Sequence, residues 1–346
     1  MKRNLFLHIG THKTGSTALQ NLLWNNRAEL AAQGILYPDL RMGGHAHHEF
    51  AWATGMGPQR PKNETRIRVW TDQLLRLCAE PEGADHPGGQ SRRDIHTVVL
   101  SSEEFEFVQN VGEIGHLAEH FDVRVVVYLR KQDHYLESSY NQQVRMYGQR
   151  FPGSIYQFAF SFNPFTRYNF RFLFDRWEAV FGRENITARP YGTRVIGGDI
   201  RADFLRIIGA DQSGLSFSGV EVERDNVSLH ASALPYLARI NEMNLPPPVH
   251  RQVIAALREM IPRVPNARLL QHEEARRFYQ SFEKSNEHVF ERYLGTGADP
   301  FGELIREKGE EHYVDHDEID ADLLLRILRE FQAAPSFFDL LRGRAS

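Results

Sequence analysis

The stretch Leu7-His8-Ile9-Gly10-Thr11-His12-Lys13-Thr14-Gly15-Ser16-Thr17-Ala18-Leu19 decides the fold that this sequence predicts. The residues from Asn4 to Gly10 are mostly apolar and end at a glycine, which is typical of a short buried strand. A polar turn follows, and from Ser16 to Gln33 leucines recur at helical spacing until Gly34. A loop that joins a strand to the start of a helix predicts an anion site, because the helix N–H groups and dipole favour negative charge there.

The loop differs from the triphosphate-binding loop, Gly-x-x-x-x-Gly-Lys-[Ser/Thr], in the place of its lysine. Gly10 and Gly15 have the right separation, but Ser16 stands where the lysine belongs, and Lys13 precedes the second glycine by two residues. The sequence also has no clear acidic strand end of the type that holds Mg²⁺, and Glu103, after Val99–Ser102, is the nearest to one. The loop therefore favours a phosphate-type ligand other than a magnesium triphosphate. Two alternatives stay open: a helix capped by Ser16 with a solvated Lys13, and a P-loop kinase of a small metabolite.

Further strands alternate with helices in the first 190 residues, which indicates βαβ units and a parallel sheet. The predicted strands are Ile35–Tyr37, Thr97–Ser102, Val123–Leu129 and Ile186–Tyr191. From Asp199 onward the pattern is almost entirely helical. We predict a three-layer α/β, P-loop-like fold with a central, mostly parallel sheet of about five strands. The predicted domains are residues 1–230, the α/β domain, and residues 231–346, a helical C-terminal extension packed on it.

Composition excludes several classes of protein. The 346 residues carry 41 Lys and Arg against 45 Asp and Glu, a net charge of −4 that does not suggest a general nucleic-acid binder. Cys78 is the single cysteine, so no intrachain disulfide is possible, which fits a reducing compartment. No run approaches the ~20 apolar residues of a membrane span. We expect a soluble, cytoplasmic protein without an integral membrane segment.

A second constellation lies where the most apolar predicted strand ends. Arg130 follows the run Val125–Leu129, and Ser138 and Tyr140 follow at eight and ten residues. Open α/β sheets bind ligands at the C-terminal ends of their strands, and a guanidinium grips a phosphate dianion well. Ser138, or its neighbour Ser139, is placed to donate to the same phosphate. The alternative is an arginine that pairs with a nearby acid and a helix with ordinary serines.

Both constellations resemble motifs of sulfotransferases that use 3′-phosphoadenosine 5′-phosphosulfate (PAPS). Lys13–Thr17 is similar to their 5′-phosphosulfate loop, and the Arg130 spacing is similar to their 3′-phosphate signature. The wider string around Lys13 looks like the bacterial branch similar to carbohydrate sulfotransferases. Weaker likeness extends over Trp177–Tyr191 and Asn226–Leu229, so the resemblance covers roughly residues 4 to 230.

The resemblance implies an enzyme that moves a sulfonate from PAPS to an acceptor hydroxyl on a glycan or lipid-linked sugar, releasing 3′-phosphoadenosine 5′-phosphate (PAP). It implies no metal, and a carbohydrate or glycolipid as partner. The residues that it assigns to the nucleotide are Lys13, Thr14, Gly15, Ser16, Thr17, Arg130 and Ser138. Lys13 is also expected to stabilise charge on the leaving oxygen. A non-catalytic PAP-binding member of the fold is a further alternative. Part of the aromatic stretch 151–168 is expected to cover the acceptor pocket.

The general base has two candidates. Glu103 follows the predicted strand that begins at Thr97, so its carboxylate is expected on the same edge as Lys13 and Arg130. A structural carboxylate is the alternative reading of Glu103. The loop His45-Ala46-His47-His48-Glu49 offers imidazoles suited to proton transfer near neutrality, with His48 as the catalytic candidate. A metal site or a plain loop is the alternative there.

Overall fold

The computed structural model describes residues 2–79, 95–161, 164–217, 229–304, 311–316 and 319–333. Its strands are β1 (Arg3–His8), β2 (Ile35–Leu36), β3 (Thr97–Ser101), β4 (Phe121–Leu129), β5 (Ile186–Pro190), β6 (Ala267–Arg268) and β7 (His312–Tyr313). Its helices are α1 (Ser16–Asn25), α2 (Arg27–Ala32), α3 (His48–Ala53), α4 (Glu64–Ala79), α5 (Leu117–His120), α6 (Gln132–Arg145), α7 (Ile155–Ser161), α8 (Pro164–Arg167), α9 (Phe170–Phe181), α10 (Ile200–Ile207), α11 (Leu234–Asn241), α12 (Pro247–Met260), α13 (His272–Gln280), α14 (Glu283–Val289) and α15 (Ala321–Ala333).

The central sheet has the strand order β2-β3-β1-β4-β5, and every pair in it is parallel. This confirms the predicted α/β fold with a central parallel sheet. β3 and β2 lie on one side of β1, and β4 and β5 lie on the other. After β1 the chain goes to the edge strand β2, returns to β3, and then crosses β1 to reach β4 and β5. The strand order therefore reverses at β1, and ligands of open α/β sheets bind outside the C-terminal end of such a strand.

The two faces of the sheet follow the two-residue period of the strands. Phe6, Val99, Val126 and Tyr128 share one buried cluster with the apolar side chains of α1 and α10. The residues that alternate with these along each strand point to the opposite face of the sheet. Helix α9 packs against β4 and β5. The buried stripe of α9 is Phe170, Leu173, Phe174, Trp177 and Phe181. Burial on both faces explains why the strands read as continuous apolar runs.

The helix predicted from Ser16 to Gln33 is two helices, which corrects the sequence-based expectation. The break lies at Asn26, a buried residue whose side-chain amide donates to the carbonyls of Leu22 and Ser216. The Asn26 oxygen in turn accepts from the N–H of Ser216 at 2.7 Å. Because these bonds serve a segment 190 residues away, leucine spacing alone did not predict the break. Gly34 ends α2 with a positive φ of 79°, as expected.

The described elements belong to two compact units with interleaved chain segments. The first comprises residues 1–131, 166–220 and 282–304, and contains the central sheet. The second comprises residues 132–165, 221–281 and 305–346. The predicted division into an α/β domain, residues 1–230, and a helical extension, residues 231–346, stays a prediction. Residues 226–228 of the resemblance lie outside the described part of the chain.

In its described residues, the second unit contains helices and one short pair of strands. Helix α6 packs against α11 and α13, and α12 packs against α15. The parallel pair β6 and β7, two residues each, was not predicted from the sequence. Arg268 of β6 joins these parts, since its guanidinium pairs with Asp133 at 3.0 Å, Glu137 at 2.6 Å and Glu311 at 2.7 Å. Among the described residues, no helix is long and apolar enough to cross a membrane.

Candidate active site

The loop after β1 is fastened to the neighbouring strand β4. The N–H of Ile9 donates to the Val126 carbonyl at 3.0 Å, and the N–H of Thr11 donates to the Tyr128 carbonyl at 2.8 Å. The N–H of Tyr128 donates back to the Gly10 carbonyl at 2.7 Å. Hydrogen bonding to β4 thus continues past the end of β1. These bonds hold the start of the loop beside β1, the strand at which the strand order reverses.

Helix α1 begins without a side-chain cap. Gly15 is its N-cap residue, with φ at 88°, and it offers no side-chain hydrogen bond to the first turn. This excludes the alternative in which Ser16 caps the helix. Ser16 is 4% exposed, and its Oγ has no hydrogen-bond partner among the described residues. Backbone N–H groups and a buried hydroxyl at one helix start form a site for an anionic oxygen.

The other loop residues differ in what they offer. The Thr14 hydroxyl is buried and donates to the Thr11 carbonyl at 2.6 Å, so it holds the loop together. Thr17 is exposed on the first turn of α1. A Cβ at Gly15 would lie 3.1 Å from the Ile200 side chain, so glycine permits both the positive φ and the close approach of α10.

Lys13 and Arg130 lie together at the C-terminal edge of the sheet. Arg130 follows β4 directly, and its Nη1 donates to the Lys13 carbonyl. The Arg130 guanidinium carbon lies 5.8 Å from the centre of the Tyr191 ring, which follows β5. Lys13 has a left-handed backbone with φ at 65°, an uncommon conformation for a residue with a side chain. The structure therefore brings the two predicted cations to one loop.

Glu103 lies beside this loop, at the start of a 3₁₀ turn, Glu103–Phe107, that follows β3. Its Oε2 accepts from the Gln20 side-chain amide of α1 at 2.7 Å. A Cβ at Gly10 would lie 3.1 Å from the Glu103 Cα, so the loop and the turn are in close contact. Burial would raise the pKa of Glu103, but the nearby His12 and His48 and the Gln20 hydrogen bond lower it overall. Glu103 is therefore ionised at neutral pH.

The three histidines of the loop from His45 to Glu49 have different partners. His48 begins α3, and its Nδ1 lies 2.8 Å from the Ser102 hydroxyl, one residue before Glu103. His47 is buried, with Nε2 bonded to the Pro38 carbonyl and Nδ1 accepting from the Ser101 N–H. Burial lowers the pKa of His47 to about 4, which keeps it neutral. His45 stacks on Trp24. The structure thus brings His48 to Glu103 and uses His47 to join β3 to this loop.

Ser138 lies in α6 of the second unit and is half-buried, whereas the next residue, Ser139, is 1% exposed. The Ser139 Oγ has no hydrogen-bond partner among the described residues. The nearby acid Asp133 pairs with Arg268. A shared phosphate site of Arg130 with Ser138 or Ser139 stays a prediction.

His12 and two carboxylates form a part of this region that the sequence reasoning missed. The His12 Nδ1 lies 2.9 Å from Glu106, and its Nε2 lies 3.7 Å from Glu104. Burial alone would lower the pKa of His12, but hydrogen bonds and charges of the two glutamates raise it to about 9. His12 is thus an imidazolium at neutral pH. The available signal was the acidic run Glu103-Glu104-Phe105-Glu106 directly after a predicted strand.

Comparisons with known proteins were made by sequence and by structure. No family model matches the sequence. An uncharacterized protein from Archaeoglobus fulgidus is 29% identical over 240 residues, which is 67% of this chain, and the match spans 63% of that relative's length. A sulfotransferase structure from Alicyclobacillus acidocaldarius is similar with a TM-score of 0.40 and 17% identity, over 75% of this chain and 97% of that one. These identities and this TM-score do not assign a function to the chain, so its function is inferred from its own residues.

The buried histidines predict a stability maximum near pH 6.5. Folded His12, with a pKa of about 9, keeps a proton that the unfolded chain releases above pH 6.5, so stability falls as the pH rises towards 9. His47 and His8, each with a pKa lowered to about 4 by burial, take up protons first in the unfolded chain, so stability falls as the pH drops from 6.5 to 4. Each proton changes the slope by up to about 1.4 kcal/mol per pH unit.

Urea unfolding between pH 4.5 and 9 measures both slopes. We expect His12→Gln to flatten the alkaline slope and to leave the acidic one, and His47→Asn to do the reverse. Each variant is the control for the other. Equal slopes in both variants and the wild type would show that neither histidine titrates as described.

Proposed function

We propose that this chain is a PAPS-dependent sulfotransferase that moves a sulfonate group to an acceptor hydroxyl on a glycan or lipid-linked sugar. The observation that carries the proposal is the uncapped start of α1, where the buried Ser16 hydroxyl has no partner among the described residues. Next to it lie Lys13 and Arg130. This combination fits a ligand with several anionic oxygens, and the motif spacing resembles that of the PAPS enzymes.

The charge pattern supports PAPS over a magnesium triphosphate. The lysine of a triphosphate loop follows the second glycine, whereas here that position is Ser16 and Lys13 lies inside the loop. Glu103, whose Cα is in close contact with the loop at Gly10, accepts a hydrogen bond from Gln20 and lies close to the imidazolium of His12. A carboxylate with these partners is already compensated. The P-loop kinase therefore has less support from the described residues than the sulfotransferase.

In the proposed reaction the loop and Arg130 bind the nucleotide. PAPS supplies an activated sulfonate whose leaving group is a phosphate. The backbone N–H groups of the first turn and the Ser16 hydroxyl would hold the 5′ end, and Arg130 the 3′-phosphate. The ammonium group of Lys13 would stabilise negative charge that develops on the leaving oxygen.

Glu103 is the proposed general base. It is ionised at neutral pH and lies on the ligand edge of the sheet, so it can accept the proton of a hydroxyl. Its lowered pKa reduces the driving force for proton transfer, which is the cost of the neighbouring positive charges. His48 is the second candidate: when its Nδ1 donates to Ser102, its Nε2 is left as a proton acceptor.

The central test is nucleotide binding. We expect PAP to raise the melting temperature of the protein in a thermal-shift assay, and ATP with Mg²⁺ to raise it less, because the loop lacks the triphosphate lysine. Radiolabelled PAPS incubated with a panel of glycans and glycolipids should label at least one of them. No shift with millimolar PAP or PAPS would refute the proposal. A PAP shift without labelling of any acceptor would favour the non-catalytic member, and a shift with ATP and Mg²⁺ alone would favour the kinase.

Substitution of the two cations should separate binding from turnover. Lys13→Ala should reduce turnover by orders of magnitude and weaken PAP binding modestly, because the ammonium acts mainly in the transition state. Arg130→Ala should weaken PAP binding by about 2–3 kcal/mol, typical of a lost charged hydrogen bond. Calorimetric titration with PAP measures the second effect, and the exposed Arg194→Ala is the control. An unchanged PAP affinity in Arg130→Ala would contradict the assignment of the second motif.

Substitution of the two base candidates should identify the proton acceptor. Glu103→Gln keeps the shape of the side chain and an oxygen that can accept from Gln20, but it removes the basic carboxylate. We therefore expect turnover to fall by about 10²–10⁴ with PAP affinity near wild type. His48→Ala should lose less, mainly through the acceptor KM. Near-normal turnover in Glu103→Gln, together with an inactive His48→Ala, would reverse the assignment.

A further inference from the structure

Glu106 is a buried acid at the candidate site for which the proposed chemistry has no use. It lies in the 3₁₀ turn after β3, three residues beyond Glu103, and is 4% exposed. One of its oxygens, Oε2, accepts two hydrogen bonds from His12, from the backbone N–H at 2.9 Å and from the ring Nδ1 at 2.9 Å. A single carboxylate oxygen thus binds both the main chain and the side chain of His12. His12 lies in the loop of residues 9–15 after β1, the proposed nucleotide loop.

The residue that follows His12 is Lys13, with its left-handed backbone. A residue with a side chain adopts this conformation at a cost, so bonds from outside the loop must hold it. Such bonds lie on both sides of Lys13: Glu106 holds the preceding residue, and Arg130 holds the Lys13 carbonyl. The conformation of the lysine is therefore set by two residues that are distant in sequence.

Glu106 and His12 are themselves held in place. The Arg176 guanidinium of α9 donates to the Glu106 carbonyl at 2.9 Å. The ring of Phe107 lies against the His12 ring, with 4.7 Å between their centres. The other ring nitrogen of His12 faces Glu104. Both ring nitrogens of His12 are thus directed at carboxylates, which makes His12 an anchor of the loop and not a ligand of the nucleotide.

We propose that Glu106 is a positioning residue that, through its two hydrogen bonds with His12, holds Lys13 in the conformation that the nucleotide loop needs. Its effect on PAP binding rests on the proposed function, whereas its effect on the loop does not. Removal of the carboxylate frees His12 and lets Lys13 relax from the left-handed conformation. The loop then has to be ordered when the nucleotide binds, and affinity falls.

The test compares Glu106→Ala, Glu106→Gln and the wild type. Glutamine keeps an oxygen that accepts from the His12 N–H, so it should restore most of what alanine loses. We expect the PAP dissociation constant to rise at least tenfold in Glu106→Ala and much less in Glu106→Gln. Hydrogen exchange of the amides of residues 12–17, measured without nucleotide, should accelerate in the same order. Glu113→Gln, a change of another glutamate that pairs with Lys62, should alter neither.

The outcomes separate the two proposals. If the wild type binds no PAP, the proposed function is wrong, and the exchange of residues 12–17 still decides whether Glu106 holds the loop. Unchanged loop exchange and PAP affinity in Glu106→Ala would overturn the positioning role. Exchange that accelerates equally across the sheet and the loop would also overturn it, because Glu106 would then support the fold as a whole. Equal losses in alanine and glutamine variants would exclude the hydrogen bonds as the cause.

Discussion

The pairing of β1 with both β3 and β4 is the constraint on which the rest of the site depends. In register, His8 lies opposite Ser101 on one side and Val126 on the other, so the three strands end close to one edge of the sheet. The segments that follow them are the loop of residues 9–15, the turn of Glu103 and Arg130. These segments are about 90 and 120 residues apart in sequence. Parallel pairing alone brings their side chains into contact.

The charges at this edge are divided into two groups. Lys13 and Arg130 lie at the helix start, where positive charge and helix dipole act together on an anion. Glu103, Glu104 and Glu106 lie on the adjacent turn, and uncompensated they would oppose anion binding. His12 stands between the groups as an imidazolium and offsets part of the negative charge. A loop residue without an obvious role in the motif thereby offsets the charge of acids that lie beside the proposed anion site.

The same turn explains how the proposed base, Glu103, keeps its charge beside the two cations of the loop edge. Ser102 caps the turn by accepting from the Glu104 N–H, and its hydroxyl also bonds His48. The close approach of Gly10 to Glu103 then fixes the distance between the turn and the loop. Glu103 keeps its charge because Gln20 and two histidines surround it. Its basicity is lower for the same reason, since the groups that hold the carboxylate also stabilise its charged form.

The sequence by itself determined the elements that depend on neighbours in the chain. Apolar runs bounded by glycine or proline predict the central strands within one or two residues, and their alternation with helices predicts the parallel sheet. The loop, its hydroxyls and the place of Lys13 are also local features. Because side-chain type and spacing decide such features, the sequence predicts that the loop, Glu103 and Arg130 follow strands that end at one edge of the sheet.

The tertiary structure alone decided what depends on partners far along the chain. The break at Asn26 is fixed by Ser216, and the charge of His12 by Glu106, 94 residues away. Gly15 is the N-cap residue of α1, with a positive φ, and the close packing of Ile200 leaves little room for a side chain there. The strands β6 and β7 are two residues each, too short for a periodic signal. Hydrogen bonds and burial between distant segments set these features, so the spacing of residues within one segment does not predict them.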